Sequence, residues 1–537
     1  MSVEAPYARP EALELISALE EDLHQIGYTV DAVGELLGPM ATTALDREQA
    51  VPAREIISRL LGETDAAPLA ALIGAWMLGD PVPVTVLNRA LPRTTAEGAA
   101  RLCLGEVREH LFYPTVDLSP YSTDVTGDLW VASDQTALQR RTALPDDHVL
   151  GIGGASLTLA GVTIRRQVAT ALDVGVGCGV QTLHLLAHAD HVTATDLSER
   201  ALDFTRFNLL LNAPQLDLDR DRLSERVTLL QGNLLEPVAG QEFDLVVSNP
   251  PFVIAPQQSE RVHTYRETGR QGDDLVAELI STVGSVLAPG GTAQLLANWE
   301  IPADTEASTG TAAWDTRPRS WVAASEAPLD AWIIQRDHHD PAGYAELWLQ
   351  DSSETLDDDA YQRAYRRYLD DFARRDISAI GFGYVWLRRA DLSDRAAPLL
   401  RTEQLLHPIA QPLGPAWGEA IEIWDALADP SAVRALHPVV PFHVTEERHQ
   451  HFGADHPEII MARQGAGFQR SRPVDTALAG LLSAADGELS AGQLLSAVSA
   501  ILDLDDATVR ELEAALVELA LEGYVTFGTS EPPGGVD

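Results

Sequence analysis

Ala171-Leu172-Asp173-Val174-Gly175-Val176-Gly177-Cys178-Gly179 ends an apolar run in an acid and three alternating glycines. A helix-compatible run opens just after it, at Val180. Strand, tight turn and helix fit that order, because residues without a Cβ let the backbone reverse and let a ligand come close. Such a turn lies at the carboxyl edge of a sheet and suits a nucleoside-containing cofactor. Asp196 stands about twenty residues further on, at the end of the next apolar run, where a carboxylate can accept hydrogen bonds from both ribose hydroxyls. The spacing is G-x-G-x-G rather than G-x-G-x-x-G, which favours a ligand without a pyrophosphate. A bare strand-to-helix connection would need the glycines but not Asp196.

Outward from that turn, apolar runs alternate with helical patterns. Strands are predicted at 170–174, 192–196, 227–231, 243–248, 292–298, 332–335 and 383–387, and helices at 180–189, 199–212, 274–287 and 361–375. Seven strands in that order imply an α/β fold, a parallel sheet with helices on both faces. The third strand ends in Leu230-Gln231-Gly232-Asn233-Leu234, where an adenine edge would be read and Asn233 can donate or accept. Leu197 and Leu234, next to Asp196 and Asn233, complete the candidate cofactor set with Asp173, Gly175, Gly177, Gly179 and, at the end of the fourth strand, Asn249.

The fourth strand runs into Ser248-Asn249-Pro250-Pro251-Phe252. Prolines fix φ and offer carbonyls without an N–H, and Asn249 adds a side-chain oxygen. Two converging acceptors suit an NH₂ group, and Phe252 offers a flat face to a planar amide or base. Asn249, Pro250, Pro251 and Phe252 are therefore the candidate catalytic residues, acting by positioning rather than by covalent chemistry. Proline pairs also occur in ordinary turns, and only the glycine motif in register before this one gives it weight.

At these two motifs the chain resembles class I S-adenosylmethionine-dependent methyltransferases of the Asn-Pro-Pro-aromatic group. That group includes release-factor glutamine, ribosomal RNA guanine and DNA adenine methyltransferases. The resemblance covers roughly residues 145–300. It implies a Rossmann-like sheet and S-adenosyl-L-methionine as cofactor. Asp173, Gly175 and Gly177 would line its methionine end, Asp196 would hold its ribose and Asn233 would lie near its adenine. Asn249 and Pro250 would orient the acceptor nitrogen. Leu287-Ala288-Pro289-Gly290-Gly291 also looks like a turn of this family. Members often carry an acid where Asn233 stands, and the flanking regions match none of the three subgroups.

The 537 residues are too many for one core. The expected division is a helical, winged-helix-like domain at 1–112, a methyltransferase domain at 113–390 that begins with hairpin strands, an irregular stretch at 391–470, and a winged-helix-like domain at 471–537. The hairpin strands are read at 129–132 and at 148–154. The net charge of -42, with no lysine in the chain, opposes a nucleic-acid ligand held through many phosphates. The last helical pattern, 505–522, carries six acids and one arginine, which argues against its reading DNA. A protein or small-molecule acceptor is favoured on that ground. Ribosomal RNA stays open through Arg363, Arg366 and Arg367.

Two cysteines far apart, Cys103 and Cys178, fit a reducing cytoplasm better than a disulfide framework. The first ten residues lack a secretory pattern, and no run approaches the roughly twenty apolar residues of a membrane span. His437, His443, His449, His451 and His456 cluster without a zinc spacing, so a solvated loop is expected and no metal. Tyr265-Arg266 and Gly272-Asp273-Asp274 are read as a lid over the acceptor, and a helix cap at Asp273 explains the latter as well. The rival to an enzyme is a non-catalytic scaffold built on the same fold.

Overall fold

A computed structural model describes residues 10–62, 65–124, 126–140, 147–256, 272–303, 313–351, 358–393, 395, 397–427 and 433–528. The apolar runs become strands β1 (Val168–Val174), β2 (Ala189–Asp196), β3 (Val227–Gln231), β4 (Phe243–Ser248), β5 (Leu287–Pro302), β6 (Leu329–His339), β7 (Ile377–Arg389) and β8 (Leu400–Gln404). They form one sheet in the order β3-β2-β1-β4-β5-β7-β6-β8. The first five in that order run parallel. β7 runs antiparallel between β5 and β6, and β8 pairs in parallel with β6.

This is an α/β sheet of the kind expected, but mixed and eight-stranded rather than parallel and seven-stranded. Apolar patterning reports that a strand is covered on both faces and says nothing of its direction. β8, Leu-Arg-Thr-Glu-Gln, is an edge strand of half-buried polar residues, so no apolar run marks it.

Helices α1 (Val180–Leu185), α2 (Glu199–Leu211), α3 (Asp274–Thr282), α4 (Thr316–Ala323), α5 (Pro341–Asp351) and α6 (Asp358–Arg374) join these strands. Ser198 caps α2, its side chain accepting from the Ala201 N–H. One apolar cluster gathers Leu279 and Ile280 of α3, Trp321 of α4 and the interior of β4 and β5. Another gathers Tyr344 and Leu349 of α5 with Tyr368 and Phe372 of α6. Val385 and Leu387 of β7 join the first, while Ile380 and Phe382 join the second, the alternation that a pleated strand imposes.

Ahead of the sheet, helices Pro10–Ile26, Val30–Leu45, Val51–Leu60, Ala67–Leu72, Val84–Ala90 and Thr95–Arg101 accompany a small antiparallel sheet of Val82–Pro83, Leu111–Pro114 and Gly105–Arg108. A hairpin follows, Val116–Thr123 paired with Gly127–Asp134. The second hairpin strand expected at 148–154 is not one. Val149 exchanges a single backbone bond with Asp134 and donates to its carboxylate, and the glycines of 151–154 turn the chain into helix Gly154–Val162.

The chain divides into two compact units. Residues 1–160 with 167–404 form the first, and 161–166 with 405–537 form the second. The second holds helix Gly414–Ala426, a three-stranded antiparallel sheet of Val444–His449, Ile459–Gln464 and Ser471–Val474, and helices Thr476–Ser483, Ala491–Leu502 and Asp506–Leu521. A short pair, Pro438–Val439 with Thr526–Phe527, completes it. Among the described residues no three histidine, cysteine or acidic side chains gather as a metal site. None of the described helices is long and apolar enough to cross a membrane.

Candidate functional site

The carboxyl ends of four adjacent parallel strands finish level. Val174 of β1 is opposite Thr195 of β2 on one side and Ser248 of β4 on the other, and Asp196 is opposite Gln231 of β3. Strands in a sheet lie about 4.8 Å apart. The glycine turn, Asp196, Asn233 and Asn249 therefore leave the sheet along one edge, in the order β3, β2, β1, β4.

Gly175, Gly177 and Gly179 all have positive φ, at 76°, 57° and 93°. A Cβ on Gly175 or Gly177 would meet nothing within 4 Å, so each faces open space, whereas one on Gly179 would crowd Thr205 at 3.2 Å. The turn is held by its neighbours. The N–H groups of Gly175 and Val176 both donate to the Thr195 carbonyl, at 2.9 and 3.0 Å. Thr205 Oγ1 donates to the Gly177 carbonyl at 2.9 Å, and Asn208 Nδ2 donates to the Cys178 carbonyl at 2.8 Å.

Asp173 is buried beneath this turn and accepts from Thr182 Oγ1 at 2.7 Å. Burial pushes its carboxyl up to about 7, against the Thr182 hydrogen bonds and with a smaller push from Asp196. Asp196 accepts from the Gly177 N–H at 3.0 Å through Oδ2 and from the Ser198 N–H at 2.8 Å through Oδ1. Burial raises its pKa too, opposed by those same N–H groups. The Leu197 N–H adds a third donor, and the carboxylate has about four lone-pair sites in all. Leu197 beside it is 58% exposed. Asn233 is half-buried at the end of β3, and Leu234 takes the left-handed φ of 47°.

Asn249 is half-buried, but its Oδ1 is fully covered and has no hydrogen-bond partner among the described residues. Pro250 is buried and Pro251 half-buried. Phe252 packs on the β4–β5 cluster and meets Trp348 of α5 edge to face, at 6.4 Å between centroids. Tyr265-Arg266 lies outside the described residues. Asp273 does not cap α3 with its side chain. Its carboxylate instead accepts from the Glu300 N–H at 2.8 Å and from Arg317 Nε at 2.8 Å, because the buried end of β5 leaves it a stronger partner there.

Sequence reasoning missed Asn208 and Asn212, which lie one turn apart on α2 and are fully buried. Asn208 accepts from the Ala132 N–H at 2.7 Å and donates to its carbonyl at 2.9 Å. Asn212 does the same for Trp130, at 2.8 and 2.7 Å. Asn208 thus ties the hairpin to the glycine turn. The available signal was a pair of amides at i and i+4 in an otherwise leucine-rich helix, where an unpaired amide would be costly.

Residues 154–309 match the family described as "Methyltransferase small domain", and residues 25–114 match "Domain of unknown function (DUF7059)". A release factor glutamine methyltransferase of Rhodopirellula baltica is 33% identical over 139 residues, 24% of this chain and 43% of that protein. A ribosomal protein uL3 glutamine methyltransferase of Bordetella pertussis is 27% identical over 176 residues, 31% of this chain and 56% of that protein. The chain thus spans about half the length of these two relatives. A ribosomal RNA small subunit methyltransferase C of Alcanivorax borkumensis is 28% identical over 276 residues, 51% of this chain and 74% of that protein. With two motif-bearing tips level on neighbouring strands, the segment 154–309 matches the methyltransferase small domain family and is similar to these glutamine and ribosomal RNA methyltransferases.

Proposed function

We propose that the protein is an S-adenosyl-L-methionine-dependent N-methyltransferase that acts on a planar amide or exocyclic amine. The observation that carries this is the covered Oδ1 of Asn249, without a partner among the described residues and one strand away from two glycines whose Cβ positions are open. A buried acceptor without a donor is expensive, and here the donor would be the substrate's own NH₂.

The residues fit such a cofactor. Asp196 would hold the ribose, Asn233 and Leu234 would border the adenine with Leu197, and Asp173, Gly175, Gly177 and Gly179 would line the methionine end. When bound, the cofactor would supply a methyl group activated on a positively charged sulfur. Asn249 Oδ1 and the Pro250 carbonyl would accept the two hydrogens of the acceptor nitrogen, turning its lone pair toward the β1 tip. Pro251 stiffens the turn, and Phe252, braced by Trp348, would support the flat face of the amide or base. The contribution is alignment and hydrogen bonding, with no covalent intermediate on the chain.

A protein acceptor is favoured, since two relatives are glutamine methyltransferases by name and the net charge is -42. The flanking regions serve to dock that acceptor. Three helices at 476–521 and the strand pair 438–439/526–527 support a winged-helix-like reading of the C-terminal region, and helices dominate the N-terminal one. A cytoplasmic setting follows from an acceptor in the translation machinery.

Calorimetry with S-adenosylhomocysteine and tritiated methyl transfer into fractionated lysate test this reading. Binding is expected, with label that is sensitive to protease and resistant to nuclease. Nuclease-sensitive label would move the acceptor to RNA, and absence of heat at millimolar ligand would favour the scaffold.

A further inference from the structure

Tyr344 is fully buried in α5, within a cluster that includes Ile254, Phe372 and Ile380. Its ring lies 5.7 Å from both Phe372 and Phe382, and a phenylalanine would make those contacts equally well. What distinguishes tyrosine is the hydroxyl, and a hydroxyl in an apolar cluster is costly unless it is bonded. This one accepts from the backbone N–H of Ile254 at 2.8 Å and from Asn298 Nδ2 at 3.1 Å. Burial holds its pKa well above the ordinary tyrosine value, so it stays neutral and keeps its hydrogen bonds across the working pH range.

Both partners border the acceptor turn. Ile254 is two residues past Phe252. Asn298 is on β5, three residues beyond Leu295, which faces Ser248 at the last position of β4. The hydroxyl therefore ties the chain leaving the turn to a strand that extends past it. We infer that Tyr344, braced by Asn298, is a positioning residue for the acceptor turn: its hydroxyl fixes the backbone after Phe252 and with it the aim of Asn249 and Pro250. This rests on the methyl-acceptor reading of that turn. A misplacement of about 1 Å in such a site costs on the order of a hundredfold in rate.

The test uses the full chain with Tyr344→Phe and, as a second variant that spares the ring, Asn298→Ser. Three quantities are measured: hydrogen exchange at the Ile254 amide, S-adenosylhomocysteine affinity by calorimetry, and single-turnover methyl transfer into lysate at saturating S-adenosylmethionine. In Tyr344→Phe, exchange at Ile254 is expected to rise and transfer to fall about ten- to a hundredfold, with cofactor affinity unchanged. Asn298→Ser is expected to follow in the same direction with a smaller effect. Unchanged exchange at Ile254 overturns the inference whatever the wild-type protein does to lysate. So does fast exchange with undiminished transfer, or a loss of cofactor affinity in step with transfer. Wild-type protein that transfers no methyl group would instead sink the functional reading, and the exchange measurement would still decide the role of Tyr344.

Discussion

The turn after β1 and the turn after β4 lie side by side on one sheet edge, and they are built to opposite rules. Around 173–179 the polar groups are partnered from within: Thr182 on Asp173, Thr205 and Asn208 on the loop carbonyls, Thr195 on two loop N–H groups. Around 249–252 the chain is fastened from behind, by Tyr344 and the Phe252–Trp348 contact, and the Asn249 oxygen has no partner among the described residues. An unpaired buried acceptor costs about 1–3 kcal/mol. On the proposed function, the first turn would be a finished cradle for the cofactor, and the second would keep one bond in reserve for an acceptor that brings a donor.

Asn249→Ala should break the contrast most completely. Methyl transfer is expected to fall about 10²- to 10³-fold, the usual effect of deleting one oriented polar group. Calorimetry should show cofactor affinity intact, and the melting temperature should not drop, since no internal bond is lost. Retained turnover would refute the role given to this residue.

Gly177→Val attacks the other turn. A β-branched residue at φ 57° costs about 1–3 kcal/mol, and its methyls enter the open space beside the loop. S-adenosylhomocysteine affinity is expected to fall at least about tenfold, the reverse of the Asn249→Ala pattern. Equal affinity would show that the space is not where ligand sits.

Asn208→Leu tests whether the cradle depends on its internal partners. It strands buried backbone groups at Ala132 and Cys178, for a loss of about 2–4 kcal/mol in urea unfolding. A loss under about 0.5 kcal/mol, the scale of an ordinary surface change, would mean that the clamp carries little.

A further test concerns pH. Asp173 titrates near 7 when folded, against 3.8 for an ordinary aspartate, so the folded chain binds its proton more tightly than the unfolded one. Its contribution to stability is whole below about pH 4 and is lost as pH rises toward 7. Asp117, buried and pushed up to about 6, adds a similar slope of its own. The difference in stability between wild type and Asp173→Asn should therefore change between pH 4 and pH 7 and level off above. A flat difference curve would show that burial does not hold that proton.

Much of the sheet was legible because β1, β2 and β4 are largely buried on both faces, and β1 and β4 end in residues with unusual backbone needs. Asp173 to Gly179 and Asn249 to Phe252 announce themselves at the ends of apolar runs. The antiparallel course of β7 was hidden, since a covered strand reads the same in either direction. The polar edge strand β8 was hidden for lack of an apolar run. At 148–154 three aliphatic residues among glycines, Val149, Leu150 and Ile152, mimicked a strand that has no partner ladder. The supports of the site were the least visible: Asn208 and Tyr344 act through backbone groups far away in sequence, Asn298 acts through the Tyr344 hydroxyl, and no spacing encodes that.

Asn208 and Asn212 have one more consequence. A two-stranded hairpin exposes a row of N–H and C=O groups that can recruit a strand from another molecule. Here the outward groups of Trp130 and Ala132 are already taken by two side-chain amides, so a helix closes an edge that would otherwise be adhesive. Variants that lose either amide should lose stability without gaining an adhesive edge, because the helix still covers the strand and the groups left behind are buried and unpaired.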